Sequence, residues 1–396
     1  MLALSRFLCV VAVSLVAACG DDPNAVDNQL PVVIDAGPDP TGEVNILYAT
    51  VRLCQPDQGT LCQDIDHIQI DTGSTGLRII ASALSADLSL PQRTLNGEPL
   101  VECMQFADGF SWGSVRSADL ELAGEEAAGM AIQLIADPTY PSTTVPADCA
   151  SAGPEEDSVA TFGANGILGI GNFLQDCGAG CASGTPTGAY YVCPTPTTCR
   201  ATAIEPAAQL QNPVSLFAND NNGVVLALPT VASPGTVTMA GSLYFGVDTQ
   251  GDNAPGSAVV VTLDSDQGTF TTSFESASMD ASYVDSGSNA YFFEDADIPV
   301  CGATSIAAGF FCPPTSLNGL VGTIVGNGGH TTTEVAFGID NAEALMQDDA
   351  VDTVLPGLAA PNGGDATSFV WGLPFFLGRS VFIGFEGQSP GSYVAY

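Results

Sequence analysis

Two Asp-centred motifs contain the residues of this sequence that are best suited to chemistry. The first is Asp71-Thr72-Gly73-Ser74, and the second is Asp285-Ser286-Gly287-Ser288. Each motif follows a short apolar run typical of a β-strand, and each contains residues that favour tight turns. Two carboxylates held close together share one proton, so the ionised member can activate a water molecule while the protonated member donates to a carbonyl oxygen. Such a pair could hydrolyse a peptide bond without a metal ion or a covalent intermediate.

A further pattern repeats with the motifs and indicates an internal duplication. Each motif is followed, after a comparable interval, by two apolar residues and a glycine: Ile167-Leu168-Gly169 in the first half and Val370-Trp371-Gly372 in the second. We therefore expect two related β-rich halves, each of which presents one Asp loop.

These residues resemble the motifs of the pepsin-like aspartic proteases. The resemblance covers nearly everything after residue 43, including the segments QIDTGS, GTVTMAGSLYFGVDTQ and SVFIGFEGQSPGSYVAY. It implies an all-β, bilobal fold of double-ψ architecture, with a cleft between two duplicated lobes. The chain also resembles an uncharacterised family of secreted bacterial lipoproteins with paired DTGS and DSGS motifs, and that resemblance implies no function.

The pepsin-like resemblance implies a role for each motif residue. Asp71 and Asp285 would be the catalytic dyad, within loops completed by Gly73 and Gly287. Thr72 and Ser286 would form hydrogen bonds to the opposite loop, and Ser74 and Ser288 would donate to the outer oxygens of the two carboxylates. Gly169 and Gly372 would be the ψ-loop glycines.

The sequence departs from the family pattern at the flap, the hairpin that covers the cleft. The segment MQFADGFSWGSVRSADLELAG lies at the flap position, but the usual flap Tyr would fall at Phe106. A phenyl ring can cover a substrate but cannot make the hydrogen bond of a phenol. Trp112, one strand further on, is the second flap candidate. The segment Thr75-Gly76-Leu77-Arg78 stands where the family more often carries a bulky aromatic residue.

Other functions compete with proteolysis. GFSWG around Ser111 fits the Gly-x-Ser-x-Gly elbow of α/β-hydrolases, but that elbow requires a following helix, whereas SVRSADLEL alternates like a strand. His67 and His330 are expected at the surface rather than as catalytic bases. The main alternative is a pepsin-like binding protein that grips peptide or carbohydrate in the same cleft without cutting it.

The N-terminal region has a different composition. Residues 1–18 have the apolar run and the small final residues of a lipoprotein signal peptide, with Cys19 as the lipidation site. Residues 19–43 are rich in Asp and Pro and predict a disordered tether. The N-terminal lobe would then span 44–222 and the C-terminal lobe 223–396. This organisation predicts a lipid-anchored protein of the bacterial cell envelope, on its periplasmic or outer-surface face.

The cysteines outside the signal and the anchor are even in number, which argues for disulfides in an exported chain. Proximity suggests Cys54 with Cys62 and Cys301 with Cys312, and Cys103 would pair with Cys149 by default. The pairing of the remaining four is open: Cys177, Cys181, Cys193 and Cys199. Their spacing is not that of a zinc ribbon or finger, so no metal is expected.

The charge limits the range of partners. The chain carries a net charge of −37 and contains no Lys, so it would repel nucleic acid and anionic membrane surfaces. Contact with a membrane is therefore expected only through the lipid anchor. The expected partner is a peptide or protein substrate, with no cofactor, and the chain is expected to be a monomer.

Overall fold

The protein is built almost entirely from β-strands. The computed structural model describes residues 28–38, 42–56, 59, 61–184, 186–346, 352–388 and 391–396. The signal peptide and Cys19 lie outside these residues, so the structure does not test them. The all-β fold class is confirmed.

The strands follow one another along the chain with only short helices between them. Their bounds are β1 Gln29–Ile34, β2 Leu47–Cys54, β3 Cys62–Asp71, β4 Thr75–Ile80, β5 Thr94–Leu95, β6 Glu98–Gln105, β7 Phe110–Leu122, β8 Glu125–Ile135, β9 Gly166–Ile170, β10 Tyr190–Thr195, β11 Thr198–Ala201, β12 Gly223–Ala227, β13 Met239–Phe245, β14 Val260–Thr262, β15 Phe270–Phe274, β16 Ala277–Val284, β17 Tyr291–Phe292, β18 Leu317–Val325, β19 Thr332–Ile339, β20 Ala359–Ala360, β21 Val370–Trp371, β22 Ser380–Gly384 and β23 Tyr393–Ala395. The α-helices are α1 Val159–Phe162, α2 Gly178–Ala182, α3 Ala342–Met346 and α4 Leu373–Phe376.

Within the described residues the strands form two sheets. The larger runs in the order β11-β10-β6-β7-β8-β4-β9-β3-β2-β1-β13-β12-β22-β23-β14, and an extra pairing of β7 with β2 closes it on itself in the N-terminal half. The smaller runs in the order β19-β18-β15-β16-β21-β17-β20. Closing a sheet in this way removes exposed strand edges and encloses an apolar core.

The first strand corrects the prediction of a disordered tether that reaches residue 43. β1, with the sequence QLPVVI, pairs with β13 over six residues and with β2 over two. Leu30, Val32 and Ile34 alternate toward the core and are buried, so this segment has the period of a strand that is covered on one face. The described chain is therefore ordered from Asn28, well before the expected start of the first lobe.

The smaller sheet packs around a cluster of aromatic rings. Phe293 and Phe369 stack with ring centroids 4.6 Å apart, and Phe369 and Trp371 stack at 4.2 Å. The Trp371 indole N–H donates to Thr272 Oγ1 at 3.0 Å, so the buried ring also has its polar atom satisfied. This packing fixes β21, which runs beside the second Asp motif.

All ten described cysteines form disulfides. Three bonds follow the predicted pairs: Cys54–Cys62, Cys103–Cys149 and Cys301–Cys312. The pairing that the sequence left open is Cys177–Cys181 and Cys193–Cys199. These five bonds fit a chain that folds in an oxidising compartment.

Among the described residues, no helix has both the length and the apolar character needed to cross a bilayer.

Candidate active site

Asp71 is the last residue of β3, which lies between β9 and β2 in the larger sheet. β9 pairs in parallel with β3, which places Leu168 opposite Ile70 and Gly169 opposite Asp71. β9 also pairs in antiparallel fashion with β4, where Gly76 faces Gly169. The loop that connects β3 to β4 is therefore crossed by β9, and this geometry presents the Asp71 carboxyl at the end of β3.

Asp285 follows a strand in the corresponding arrangement. β21 pairs in parallel with β16, with Trp371 opposite Val284, and in antiparallel fashion with β17, with Trp371 opposite Tyr291. The two halves therefore share one loop-and-crossing-strand motif, as the repeat in the sequence predicts. This pair of motifs is the double-ψ architecture.

The crossing strands need glycine because they lie against backbone atoms. A Cβ atom on Gly169 would lie 2.5 Å from the Thr75 nitrogen, and one on Gly372 would lie 2.0 Å from the Ala290 carbonyl oxygen. Contacts this short are not tolerated between non-bonded atoms. The ψ-loop role predicted for both glycines agrees with this geometry.

The two carboxyl groups meet across the lobes. A Cβ atom added to Gly73 would lie 2.7 Å from the Asp285 carboxyl carbon, and one added to Gly287 would lie 2.5 Å from Asp71 Oδ1. Each carboxylate also accepts a hydrogen bond within its own loop, from Gly73 N–H to Asp71 Oδ1 at 2.7 Å and from Gly287 N–H to Asp285 Oδ1 at 2.8 Å. The loops are thus close enough for the two acids to share a proton.

Reciprocal hydrogen bonds join the loops beneath the dyad. The Thr72 N–H donates to Ser286 Oγ at 3.1 Å, and the Ser286 N–H donates to Thr72 Oγ1 at 2.9 Å. Ser286 Oγ in turn donates to the Ile70 carbonyl oxygen at 2.8 Å. Gln69 Nε2 adds a further inter-lobe bond to the Gly287 carbonyl oxygen at 3.0 Å. Buried polar groups need such partners, and here the partners also fix the separation of the lobes.

The serines that end the two motifs, Ser74 and Ser288, differ in their hydrogen bonds. Ser288 Oγ donates to Asp285 Oδ2 at 2.6 Å, as predicted from the resemblance. The Ser74 hydroxyl is buried without a well-formed hydrogen bond in the described part of the chain. Its proximity still lowers the pKa of Asp71, but less than other groups raise it. The Asp285 carboxyl is therefore the more firmly held of the two.

Burial controls the electrostatics of the site. Asp71 is 5 % exposed, and burial raises its pKa well above the ordinary value. The charge of the Asp285 carboxyl and a hydrogen bond with it raise the pKa further. Tyr283, which lies near both acids, has its pKa raised to about 12, first by burial and then by the charges of Asp285 and Asp71. The site thus favours one retained proton.

A cleft of about 560 Å³ opens above the dyad. Both Asp side chains line it, together with residues of the two lobes and of the loop that joins β6 to β7. That loop contributes Phe106 and Asp108, and Phe106 packs edge to face on Phe162 with ring centroids 5.8 Å apart. Apolar surface comes from Ile46, Ile167, Phe292 and Val370. The size and the lining suit a few amino-acid side chains.

Trp112 is not a flap residue, which corrects that part of the prediction. It is 1 % exposed and packs on Tyr191 with ring centroids 5.2 Å apart, in a cluster with Val101 and Tyr140. The sequence places it two residues into β7, where its side chain faces the core rather than the cleft. Only Phe106 of the two flap candidates lines the cleft.

The serine-hydrolase interpretation is also excluded. Ser111 lies inside β7, fully buried, and its hydroxyl hydrogen-bonds Gln133 Oε1 at 2.8 Å. No helix follows, so the strand-to-helix turn of a nucleophile elbow is absent from this segment. His67 contacts Asp35 and Asp66, and His330 is exposed.

Two residues of the site were not identified from the sequence. Tyr283 lines the cleft beside Asp285, and Gln69 bridges the lobes. Both precede the Asp of their motif by two positions, so the alternation of the strand places them on the same side as that Asp. Counting back by two from each motif would have found them.

Raised carboxyl pKa values make stability depend on pH in a defined direction. The pKa of Asp71 is raised on folding, so the folded chain keeps a proton that the unfolded chain releases above about pH 4. The stabilisation is complete below that pH and is lost as pH rises through the folded-state value. We expect the melting temperature to fall between pH 4 and pH 7, measured by calorimetry. Asp71→Asn should reduce this fall, and an unchanged slope would contradict the assignment.

Comparison with known proteins agrees with this architecture. The structure is similar to the crystal structure of the aspartic proteinase from Irpex lacteus, with a TM-score of 0.52 and 13% sequence identity over 93% of this chain and 96% of that chain. Identity this low supports the fold alone, which is that of the pepsin-like aspartic proteinases. Among curated proteins the sequence has no significant match. Residues 24–396 match the family described as "Protein of unknown function (DUF3443)", and the chain therefore belongs to that family.

Proposed function

We propose that the protein is an aspartic endopeptidase that hydrolyses peptide bonds with Asp71 and Asp285. The observation that carries the proposal is the meeting of two carboxyl groups from opposite lobes at the floor of one cleft, the Asp71 carboxyl buried and the Asp285 carboxyl half-buried. A structural turn has no need of two acids in contact, because their mutual repulsion destabilises the fold.

The chemistry follows from one proton held by two acids. The ionised carboxyl takes a proton from a water molecule, whose oxygen attacks the carbonyl carbon, while the protonated carboxyl donates to the carbonyl oxygen. The acid that took the proton from water then gives it to the nitrogen as the C–N bond breaks, and the other acid regains a proton from the collapsing diol, so the pair again holds one proton. Hydrogen bonds from Gly73, Gly287 and Ser288 fix the carboxylate oxygens, so the pair does not reorganise during the reaction. Activity should decline once pH rises past the upper apparent pKa of the dyad.

The cleft supports apolar side chains beside the scissile bond. Phe106 and Phe162 form one wall, and Ile167 and Phe292 lie in the same lining. Burying an apolar side chain there would contribute about 1.5–3 kcal/mol to binding. Phe106 lacks a hydroxyl, so the flap would bind substrate by coverage and not by a side-chain hydrogen bond.

Export and anchoring belong to the same proposal. The five disulfides fit an oxidising compartment. We propose that lipid on Cys19 holds the chain at the bacterial envelope, and that the chain acts there as a monomer on peptide or protein substrates.

The test is cleavage of an unfolded protein mixture from about pH 3 to pH 8 by the purified, disulfide-bonded chain. Proteolysis is expected at acid pH, with loss toward neutrality. Inhibition should follow addition of a peptide that carries a secondary hydroxyl in place of the scissile carbonyl, because it imitates the tetrahedral intermediate. A folded chain that binds this peptide but cuts no substrate at any pH would favour the alternative, a binding protein with the same cleft.

A further inference from the structure

Arg78 is buried completely, although the chain has only seven basic residues. It lies on β4, which begins directly after the first Asp motif. Its guanidinium donates to the Thr75 carbonyl oxygen at 2.8 Å, to Glu102 Oε1 at 2.7 Å and to Asp176 Oδ2 at 3.2 Å. Burial of an arginine is costly unless its donors are paired, so this arrangement requires an explanation.

The three partners belong to three segments that lead to or from the Asp71 loop and the flap loop. Thr75 begins the strand that leaves the Asp71 loop, and Asp176 follows the strand that crosses this loop. Glu102 lies on β6, the strand that leads to the flap loop four residues later at Phe106. One side chain therefore connects the floor of the cleft to the base of its flap.

Further bonds hold the two acids in place. Tyr190 Oη donates to Asp176 at 2.7 Å and accepts from the Leu210 N–H at 2.8 Å. Gln133 Nε2 donates to the Glu102 carbonyl oxygen at 3.0 Å. Tyr190 lies on β10, which is the neighbour of β6 in the sheet. The cluster is therefore a connected polar network inside an apolar lobe, although the Arg78 Nε–H finds no acceptor within the described residues. Buried networks of this kind rigidify what they connect.

The charges of the network balance only with one added proton. It contains one guanidinium and two carboxyl groups, which are 1 % and 3 % exposed. Glu102 Oε2 is buried, and no N–H or O–H group of the described chain donates to it. Burial, and after it the charge of Glu102, raise the pKa of Asp176. A hydrogen bond from the protonated Asp176 carboxyl to the Glu102 side chain also raises the pKa of Asp176. The remaining titratable neighbours are Tyr190 and, at longer range, Arg93.

Stability alone does not account for this network. A buried ion cluster is often no more stable than apolar residues of similar volume. We propose that Arg78 is a positioning residue, which sets the flap over the dyad by bonding Glu102 on the flap strand and Thr75 beside the Asp71 loop. The proposal rests on the proposed function in so far as the flap acts on a substrate. Its geometric content, the position of the flap, is independent of catalysis.

The test replaces the whole network by neutral groups of similar size: Arg78→Met, Glu102→Gln and Asp176→Asn together. Removing Arg78 alone would leave two buried acids unpaired and unfold the lobe, whereas the combined variant keeps the charge balance. The matched control is Arg200→Met, because Arg200 pairs with Glu98 on the same flap strand but is exposed.

Two measurements follow the flap. Phe106→Trp introduces a fluorescent reporter at the flap, and its quenching by acrylamide reports exposure with no need for activity. The combined variant should still unfold in a cooperative melting transition, and acrylamide quenching of its flap reporter should rise about twofold. Its kcat/KM should fall on the order of tenfold to a hundredfold, mainly because KM increases. Arg200→Met should change neither quantity.

The outcomes separate the two proposals. Unchanged quenching in a folded combined variant overturns the positioning role, whatever the wild-type activity. Quenching that rises while the wild type cuts no peptide supports the positioning role and overturns the proposed endopeptidase. A fall in melting temperature with unchanged quenching and KM would mean that the network only stabilises the lobe, and it would overturn the positioning role as well.

Discussion

Asp71→Asn is expected to abolish peptide hydrolysis while the chain remains folded. Asparagine has nearly the shape of aspartate but can neither hold the ionised state nor share the proton with Asp285. Loss of acid–base chemistry lowers kcat by about 10²–10⁴-fold. Asp285→Asn should have the same effect, since the acids act as one unit. The measurement is kcat on a peptide substrate at the acid optimum.

Stability should move in the opposite direction at neutral pH. Asp71 is buried beside another acid, so its neutral replacement removes an electrostatic cost that burial and Asp285 impose. A suitable control is Asp266→Asn, because Asp266 is an exposed turn residue that does not line the cleft. Full activity in either dyad variant would rule out the proposed chemistry. If one dyad variant loses activity because it does not fold, the other dyad variant provides the test.

Gly372→Ala should destabilise the C-terminal half severely. The added methyl would lie 2.0 Å from the Ala290 carbonyl oxygen and 2.7 Å from that of Ser288, and both are backbone atoms that cannot rotate away. Overpacking of this kind costs about 1–3 kcal/mol, and more where the backbone itself must move. The measurement is the free energy of unfolding of the wild type and of Gly372→Ala, each determined by urea titration.

The control for this prediction is Gly251→Ala. Nothing lies within 4 Å of a Cβ atom at Gly251, so its change in the free energy of unfolding should be small. Gly372→Ala should also reduce hydrolysis, because the added methyl would push against Ser288, whose hydroxyl donates to Asp285. Equal stability of the two variants would show that β21 does not cross the second loop as closely as described.

The dyad could be predicted from the sequence because each half of it is a local motif. The order Asp-Thr/Ser-Gly-Ser and the later glycine are short-range signals, and their repetition supplies the long-range relation between Asp71 and Asp285. The disulfides Cys177–Cys181 and Cys193–Cys199 were undetermined because four clustered cysteines permit several pairings.

The rest depends on contacts that no local pattern encodes. β1 lies in a segment whose Asp and Pro content indicates disorder, and it becomes a strand because β13, more than 200 residues away, supplies its hydrogen bonds. The register of the β6–β7 hairpin decides that Phe106 faces the cleft and Trp112 the core. Arg78 would be assigned to the surface by residue type, and only its burial between two acids shows otherwise.

β1 also gives the molecule a mechanical property. It pairs with β2 on one side and with β13 on the other, so it fastens the sheet of the first half to the strands of the second. A force applied to the chain from its N-terminal side would act on the pairing of β1 with β2 and β13 before it reached the core of either half. Removing the chain before Asn28 would leave this pairing intact, whereas removing Asn28 to Ile34 as well would break it and expose the edges of β2 and β13.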